Sequence, residues 1–172
     1  MLASRCKCTA SGSRSKAAGI LLKQICAIRV HSDRVKVKRI LLAEDNPADV
    51  YLFREAIGLH PDSVHLIVVS DGEEAMDYLD ARGPFAGRLL PDLFVLDLNL
   101  PKCTGNDVLR RIRDLPECRD IPVIVLTSSD SPEDKSAAAK LGAALFLTKP
   151  ADLDQFLALG GVLLSYTRFS TC

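Results

Sequence analysis

No apolar run in this 172-residue chain approaches the ~20 residues that a membrane-spanning helix needs, although 48% of the residues are hydrophobic. A helical membrane protein is therefore excluded, and a globular core is expected. No convincing secretory signal is recognisable, so none is expected. The six cysteines, Cys6, Cys8, Cys26, Cys103, Cys118 and Cys172, follow no disulfide-framework spacing. Reduced thiols in a cytoplasm are the expectation. Cys6-Lys7-Cys8 has the form of half a metal site, but no His or Cys pair stands at zinc-ligand spacing to complete it. Net charge is missing too, with 22 Lys and Arg against 22 Asp and Glu. That zero hides an asymmetry. Residues 1–39 hold ten Lys and Arg and one acid, Asp33, whereas residues 40–172 hold twelve basic and twenty-one acidic residues. An acidic globular part argues against direct nucleic-acid binding.

What is present divides into a basic extension over residues 1–37, a regular domain over 38–167 and a short tail over 168–172. The extension is rich in Ser, Ala, Cys, Lys and Arg and is expected to be disordered, with at most a turn or two of helix between Ile20 and Ile28. Three readings of it stand open: a targeting peptide, a basic arm for an acidic partner, or a start site placed too far upstream. The last is preferred, and it requires a non-Met start, since Met76 is the only other methionine.

The regular part is organised around Asp92-Leu93-Phe94-Val95-Leu96-Asp97-Leu98-Asn99-Leu100-Pro101. A short apolar run bounded by turn signals reads as a strand buried on both faces, as in a parallel sheet covered by helices. Around it, strands are expected at Arg39–Ala43, Val64–Val69, Ile121–Leu126 and Ala143–Leu147. Helices are expected from Pro47, over Glu73–Ala81 (with Ala75, Met76 and Leu79 inward), Thr104–Leu115 and Pro132–Leu141, and from Asp152 to about Tyr166. Pro47 and Pro132 fall in first turns, where a missing N–H costs little, and Gly142 falls where a helix ends. Gly160-Gly161 in the last helix predicts a loosened or kinked second half, because each Gly costs about 1 kcal/mol against Ala. Five alternations of strand and helix predict an α/β fold with a doubly wound parallel sheet and right-handed crossovers.

In such a sheet all carboxyl ends share one edge, where ligands bind. Glu44 and Asp45 follow the first strand, Asp97 the third, Thr127 the fourth and Lys149 the fifth. Carboxylates crowded together need a cation, since like charges raise one another's pKa. Hard oxygen ligands suit Mg²⁺. A carboxylate beside Mg²⁺ and a lysine is a nucleophile toward phosphorus, with Lys149 neutralising the transferring group and the Thr127 hydroxyl donating to one of its oxygens. Taken singly, each residue has a plainer role: an acid at a strand end is most often a cap, Thr127 could cap the next helix, Lys149 could be a solvated charge and Phe146 a core residue. Their coincidence at separate strand ends favours the chemical reading.

Residues 38–158 resemble a response-regulator receiver domain of two-component signalling. The motifs that carry the resemblance are Ile40-Leu41-Leu42-Ala43-Glu44-Asp45-Asn46-Pro47, Val95-Leu96-Asp97-Leu98-Asn99-Leu100-Pro101, Val125-Leu126-Thr127-Ser128-Ser129 and Leu147-Thr148-Lys149-Pro150. The run from Glu44 to Asp49 and the long loop before Pro91 are similar to the small stand-alone regulators paired with bacterial phytochrome kinases. The resemblance implies a flavodoxin-like sheet of strand order 2-1-3-4-5. It makes Asp97 the phosphoacceptor, Asp45 a direct Mg²⁺ ligand, Glu44 a ligand acting through water, and Asn99 the residue whose backbone carbonyl completes the metal site. Thr127 and Lys149 match the phosphoryl-contacting pair, and Phe146 matches an aromatic that turns inward when Thr127 moves. The implied partners are a sensor histidine kinase, of phytochrome type on the subgroup match, and a downstream protein target; a homodimer stays open. Two departures stand out. Cys103-Thr104-Gly105 replaces the family's Asp-Gly, and Gly160-Gly161 is unusual for a last helix that would build a dimer.

Residues 159–172 are too few to fold alone, so no output domain is expected, and signalling is expected to run through a phosphorylation-dependent surface. The chain is read as a self-catalysed phosphoacceptor rather than an enzyme. A Mg²⁺-dependent phosphatase would carry a second acid where Asn99 stands. A flavin domain would need a hydroxyl- and Gly-rich loop where Asn46-Pro47-Ala48-Asp49 stands. A receiver fold kept only as a binding module would not need every acceptor-site residue type.

Overall fold

The computed structural model describes residues 37–167. The expectations for residues 1–36, including Cys6-Lys7-Cys8 and the weak helix at Ile20–Ile28, and for residues 168–172 lie outside the described residues.

The elements alternate as expected: β1 (Lys38–Ala43), α1 (Pro47–Gly58), β2 (Val64–Val69), α2 (Gly72–Leu79), β3 (Leu93–Leu96), α3 (Gly105–Asp114), β4 (Val123–Thr127), α4 (Pro132–Lys140), β5 (Leu145–Thr148) and α5 (Leu153–Ser165). The strands form one parallel sheet in the order β2-β1-β3-β4-β5, a flavodoxin-like α/β fold.

Strand periodicity sorts the apolar residues into two cores. Ile40 and Leu42 of β1, Leu93 and Val95 of β3, and Ile124 and Leu126 of β4 face α1 and α5, meeting Phe53, Ile57, Phe156 and Leu163. Leu41, Ala43, Phe94, Leu96, Val123 and Val125 point the other way, toward Ala75, Tyr78 and Leu79 of α2, Val108, Leu109 and Ile112 of α3, and Ala138 of α4. Successive strand residues point to opposite faces, so only a strand with helices on both sides buries such a run throughout. Each fully buried Leu, Ile or Phe contributes about 1.5–3 kcal/mol.

The helices begin on side-chain caps. Asn46 accepts from the Ala48 N–H, Asp71 from Glu74, Ser131 from Asp134 and Asp152 from Gln155, each worth about 1 kcal/mol. Thr104 forms a reciprocal capping box with Asp107, so the residue that departs from the family pattern is the N-cap of α3. The second helix is shorter than its sequence pattern. It ends at Leu79, and Ala81 takes a left-handed φ of 53°. Ala75 and Leu79 face inward as expected, joined by Tyr78, whose hydroxyl donates to the Leu89 carbonyl at 2.6 Å, while Met76 is half-buried. The loop after it holds a 3₁₀ turn at Gly83–Phe85.

Gly160-Gly161 do not interrupt the last helix; α5 runs as one helix from Leu153 to Ser165. A Cβ on Gly160 would lie 2.1 Å from the Ala56 carbonyl oxygen of α1. The glycine is there for close helix packing, which outweighs its cost in helix propensity.

Candidate functional site

Backbone hydrogen bonds continue past the strand ends and fix where the charged residues sit. The Glu44 N–H donates to the Val69 carbonyl at 3.0 Å, Asp97 to Ala43 at 3.0 Å and Lys149 to Thr127 at 2.8 Å. The first residue after each of β1, β3 and β5 is thereby held in the ladder while the chain turns away. Beneath Asp97 the α3 N-terminus comes very close, since a Cβ on Gly105 would stand 2.1 Å from the Asp97 carbonyl oxygen. Gly105 is what allows that approach.

Lys149 is the hub. Its ammonium lies 2.6 Å from Asp97 Oδ2, 2.7 Å from Glu44 Oε2 and 2.8 Å from Asp49 Oδ2. The side chains of Lys149, Glu44 and Asp97 are 8%, 2% and 6% exposed, so these contacts are little screened by water. The second Asp97 oxygen, Oδ1, accepts the Asn99 N–H at 3.0 Å, and Glu44 Oε1 accepts the Asn46 N–H at 3.2 Å. Thr127, at the end of β4, is fully buried, and its Oγ1 accepts the Ser129 N–H at 3.3 Å.

The electrostatics follow from this packing. Burial pushes the Asp97 carboxyl upward, but the Lys149 ammonium, the Asn99 N–H and the Thr127 hydroxyl together hold it below its ordinary value. Burial also raises Glu44, and there it prevails over the bonds from Lys149 and the Asn46 N–H, leaving that carboxyl above its ordinary value. For Lys149 burial works downward, yet its bonds to Asp49, Asp97 and Glu44 lift it well above the ordinary lysine range. Asp97 is therefore an anion at neutral pH, held beside a fixed cation.

Carboxylate oxygens of Glu44, Asp45 and Asp97 lie within 4.8 Å of one another, with Asp45 on the exposed side. Clustered hard oxygen donors with one open flank fit a small divalent cation that keeps part of its water shell. Of the residues singled out from sequence, Glu44, Asp45, Asp97, Thr127 and Lys149 gather at this one edge. Asn99 is exposed and reaches Asp97 through its backbone N–H. Phe146 lies on β5, paired with Val125 and half-buried, with the Lys135 ammonium 5.7 Å from its ring centroid.

Asp49 was not among the residues expected from sequence to contact the site. An acid in the first turn of a helix is ordinarily assigned to the helix dipole, and nothing local signals that it meets a lysine 100 residues later.

Residues 40–159 match the family model described as the response regulator receiver domain. The response regulator Rcp1 of Synechocystis sp. is 39% identical over 126 residues, 73% of this chain and 86% of Rcp1. The phosphorylated cyanobacterial phytochrome response regulator RcpA superposes with a TM-score of 0.74 at 37% identity, covering 79% of this chain and 100% of RcpA. The Mn²⁺-bound form of Rcp1 does so with a TM-score of 0.72 at 36% identity, covering 78% and 97%. With its strand order, its acidic cluster and these likenesses in agreement, the chain belongs to the response regulator receiver domain family.

Proposed function

We propose that this chain is a cytoplasmic response regulator that accepts a phosphoryl group on Asp97 from the phosphohistidine of a sensor kinase. One observation carries the reading: a mostly buried Asp97 carboxyl lies 2.6 Å from the Lys149 ammonium, inside a three-carboxylate cluster. The comparisons support the choice of partner. RcpA is a phytochrome response regulator, and a bacteriophytochrome response regulator is 34% identical over 80% of this chain. A kinase of phytochrome type is therefore the proposed donor. No helix among the described residues is long and apolar enough to cross a membrane.

In the transfer, a carboxylate oxygen of Asp97 attacks phosphorus. The new P–O bond forms as the P–N bond breaks, and the bonding pair returns to the histidine ring nitrogen. Lys149 supplies a fixed positive charge next to the oxygens of the transferring group, and the Thr127 hydroxyl donates to one of them. The Asn99 N–H keeps the carboxylate oriented. A divalent cation, Mg²⁺ as proposed, would be held by Asp45 with Glu44, Asp97 and the Asn99 backbone carbonyl, and would supply charge neutralisation. Water later cleaves the acyl phosphate, releasing phosphate and restoring the Asp97 carboxylate. The module is a phosphoacceptor rather than a turnover enzyme.

The signal is inferred from the same resemblance. A phosphoryl group on Asp97 adds negative charge where Thr127 is buried, so Thr127 and the Ser128-Ser129 loop move toward it. Phe146 then turns inward, and the surface of α4, β5 and α5 changes for a downstream protein to read. An Asp97→Asn variant incubated with acetyl phosphate and Mg²⁺, or with a phosphorylated kinase, should take up no label. Labelling of that variant at the wild-type level would refute the assignment.

A further inference from the structure

We propose that Asp49 is a positioning residue that competes with the incoming phosphoryl group for the Lys149 ammonium and thereby limits the rate at which Asp97 is phosphorylated. The inference rests on the reading of Asp97 as phosphoacceptor. An ammonium has three N–H donors, and Lys149 meets three carboxylates, at 2.6, 2.7 and 2.8 Å. Two of these partners, Asp97 and Glu44, belong to the acidic cluster with Asp45. Asp49 does not belong to it. It reaches in from the first turn of α1, from an element that contributes nothing else to the Lys149 contacts.

An acid at that helix position ordinarily serves the dipole of its own helix. Here Asp49 Oδ2 lies on the Lys149 ammonium instead, with the Lys149 side chain 8% and the Asp49 side chain 21% exposed. A phosphoryl group arriving at Asp97 is anionic and needs the Lys149 charge. Asp49 opposes it twice, by holding the ammonium toward α1 and by adding a negative charge beside the approaching anion. Replacing Asp49 with Asn removes the charge and leaves a side-chain oxygen to accept the ammonium N–H.

The test follows phosphorylation of the full chain by acetyl phosphate in Mg²⁺. Asp49→Asn is expected to label about tenfold faster, equivalent to about 1.4 kcal/mol of barrier. Asp49→Ser, a second neutral variant, should accelerate labelling in the same direction, and Asp49→Glu, which restores the charge, should slow it back toward wild type. In unphosphorylated, metal-free protein labelled with ¹⁵N-lysine, the Lys149 ammonium resonance should shift in Asp49→Asn. Neutral variants that label at the wild-type rate or slower, or an unshifted Lys149 resonance, would overturn the proposal. Asp97→Asn run alongside separates the two readings: label on that variant defeats the assignment of Asp97, whereas an unaccelerated Asp49→Asn with an inert Asp97→Asn defeats only the role of Asp49.

Discussion

Lys149 serves two ends at once. It is the cation proposed to meet the transferring group, and it is the counter-ion that makes two nearly buried carboxylates tolerable in the folded state. Removing one partner of a buried ionic set leaves the others uncompensated, at about 3–5 kcal/mol. Lys149→Met is therefore expected to lower the free energy of unfolding by about 3 kcal/mol in metal-free buffer. Added Mg²⁺ should restore stability to the variant more than it adds to the wild type, because only the folded chain assembles the acidic cluster. Urea melts with and without Mg²⁺ measure both effects, and coincident midpoints for variant and wild type would contradict the account. At this scale the sequence was informative wherever a residue ends a strand or follows it directly. Glu44, Asp97, Thr127 and Lys149 could be placed because parallel strands end on one edge. Asp49 could not, because its partner is set by how α1 leans on the sheet, a property of packing that no local pattern encodes.

Between elements, two glycines side by side do opposite things. Gly160 is buried against α1, where an added Cβ would meet the Ala56 carbonyl oxygen at 2.1 Å. At Gly161 the nearest atom is the far end of the His60 ring, at 3.3 Å. Gly160→Ala should destabilise the fold by about 1–3 kcal/mol as α5 is forced off α1. Gly161→Ala should be neutral or stabilising by up to about 1 kcal/mol, through helix propensity. Thermal melts of the pair check this, and equal shifts would show that propensity rather than contact governs both positions. The sequence revealed the helix but not the reason for its glycines, since close approach is a relation between two helices. Element order and type were legible from periodicity and punctuation alone, with Pro47 and Pro132 falling in first turns. Boundaries were less so. Ile121 and Pro122 precede β4 rather than open it, because ladder pairing with β3 reaches no further than Val123, and pairing partners are invisible in a single strand's sequence.

For the whole molecule, acid stability depends also on carboxylates outside the acceptor edge. The Arg111 guanidinium holds Asp80 below its ordinary value despite burial, and Lys102 does the same for Asp71. A carboxyl whose folded pKa is depressed stabilises the fold above its unfolded pKa of about 3.9, and that contribution is lost as pH falls through the lower folded value. Arg111 and Asp80 bridge α3 to the end of α2, with the Arg111 side chain 39% exposed, so solvent screening limits the pair to about 1 kcal/mol or less. Arg111→Ala should accordingly be less stable than wild type at neutral pH, and the gap should close below about pH 4; a gap that widens in acid would reverse the sign of this linkage. The same chain that spreads these supports over its surface gathers its one proposed reactive carboxylate at the sheet edge. Borohydride trapping after exposure to acetyl phosphate and Mg²⁺ tests that claim most directly. It reduces an acyl phosphate to an alcohol, so peptide mapping by mass spectrometry should find residue 97 converted from aspartate to homoserine. An unmodified Asp97 with phosphate on any other side chain would contradict it.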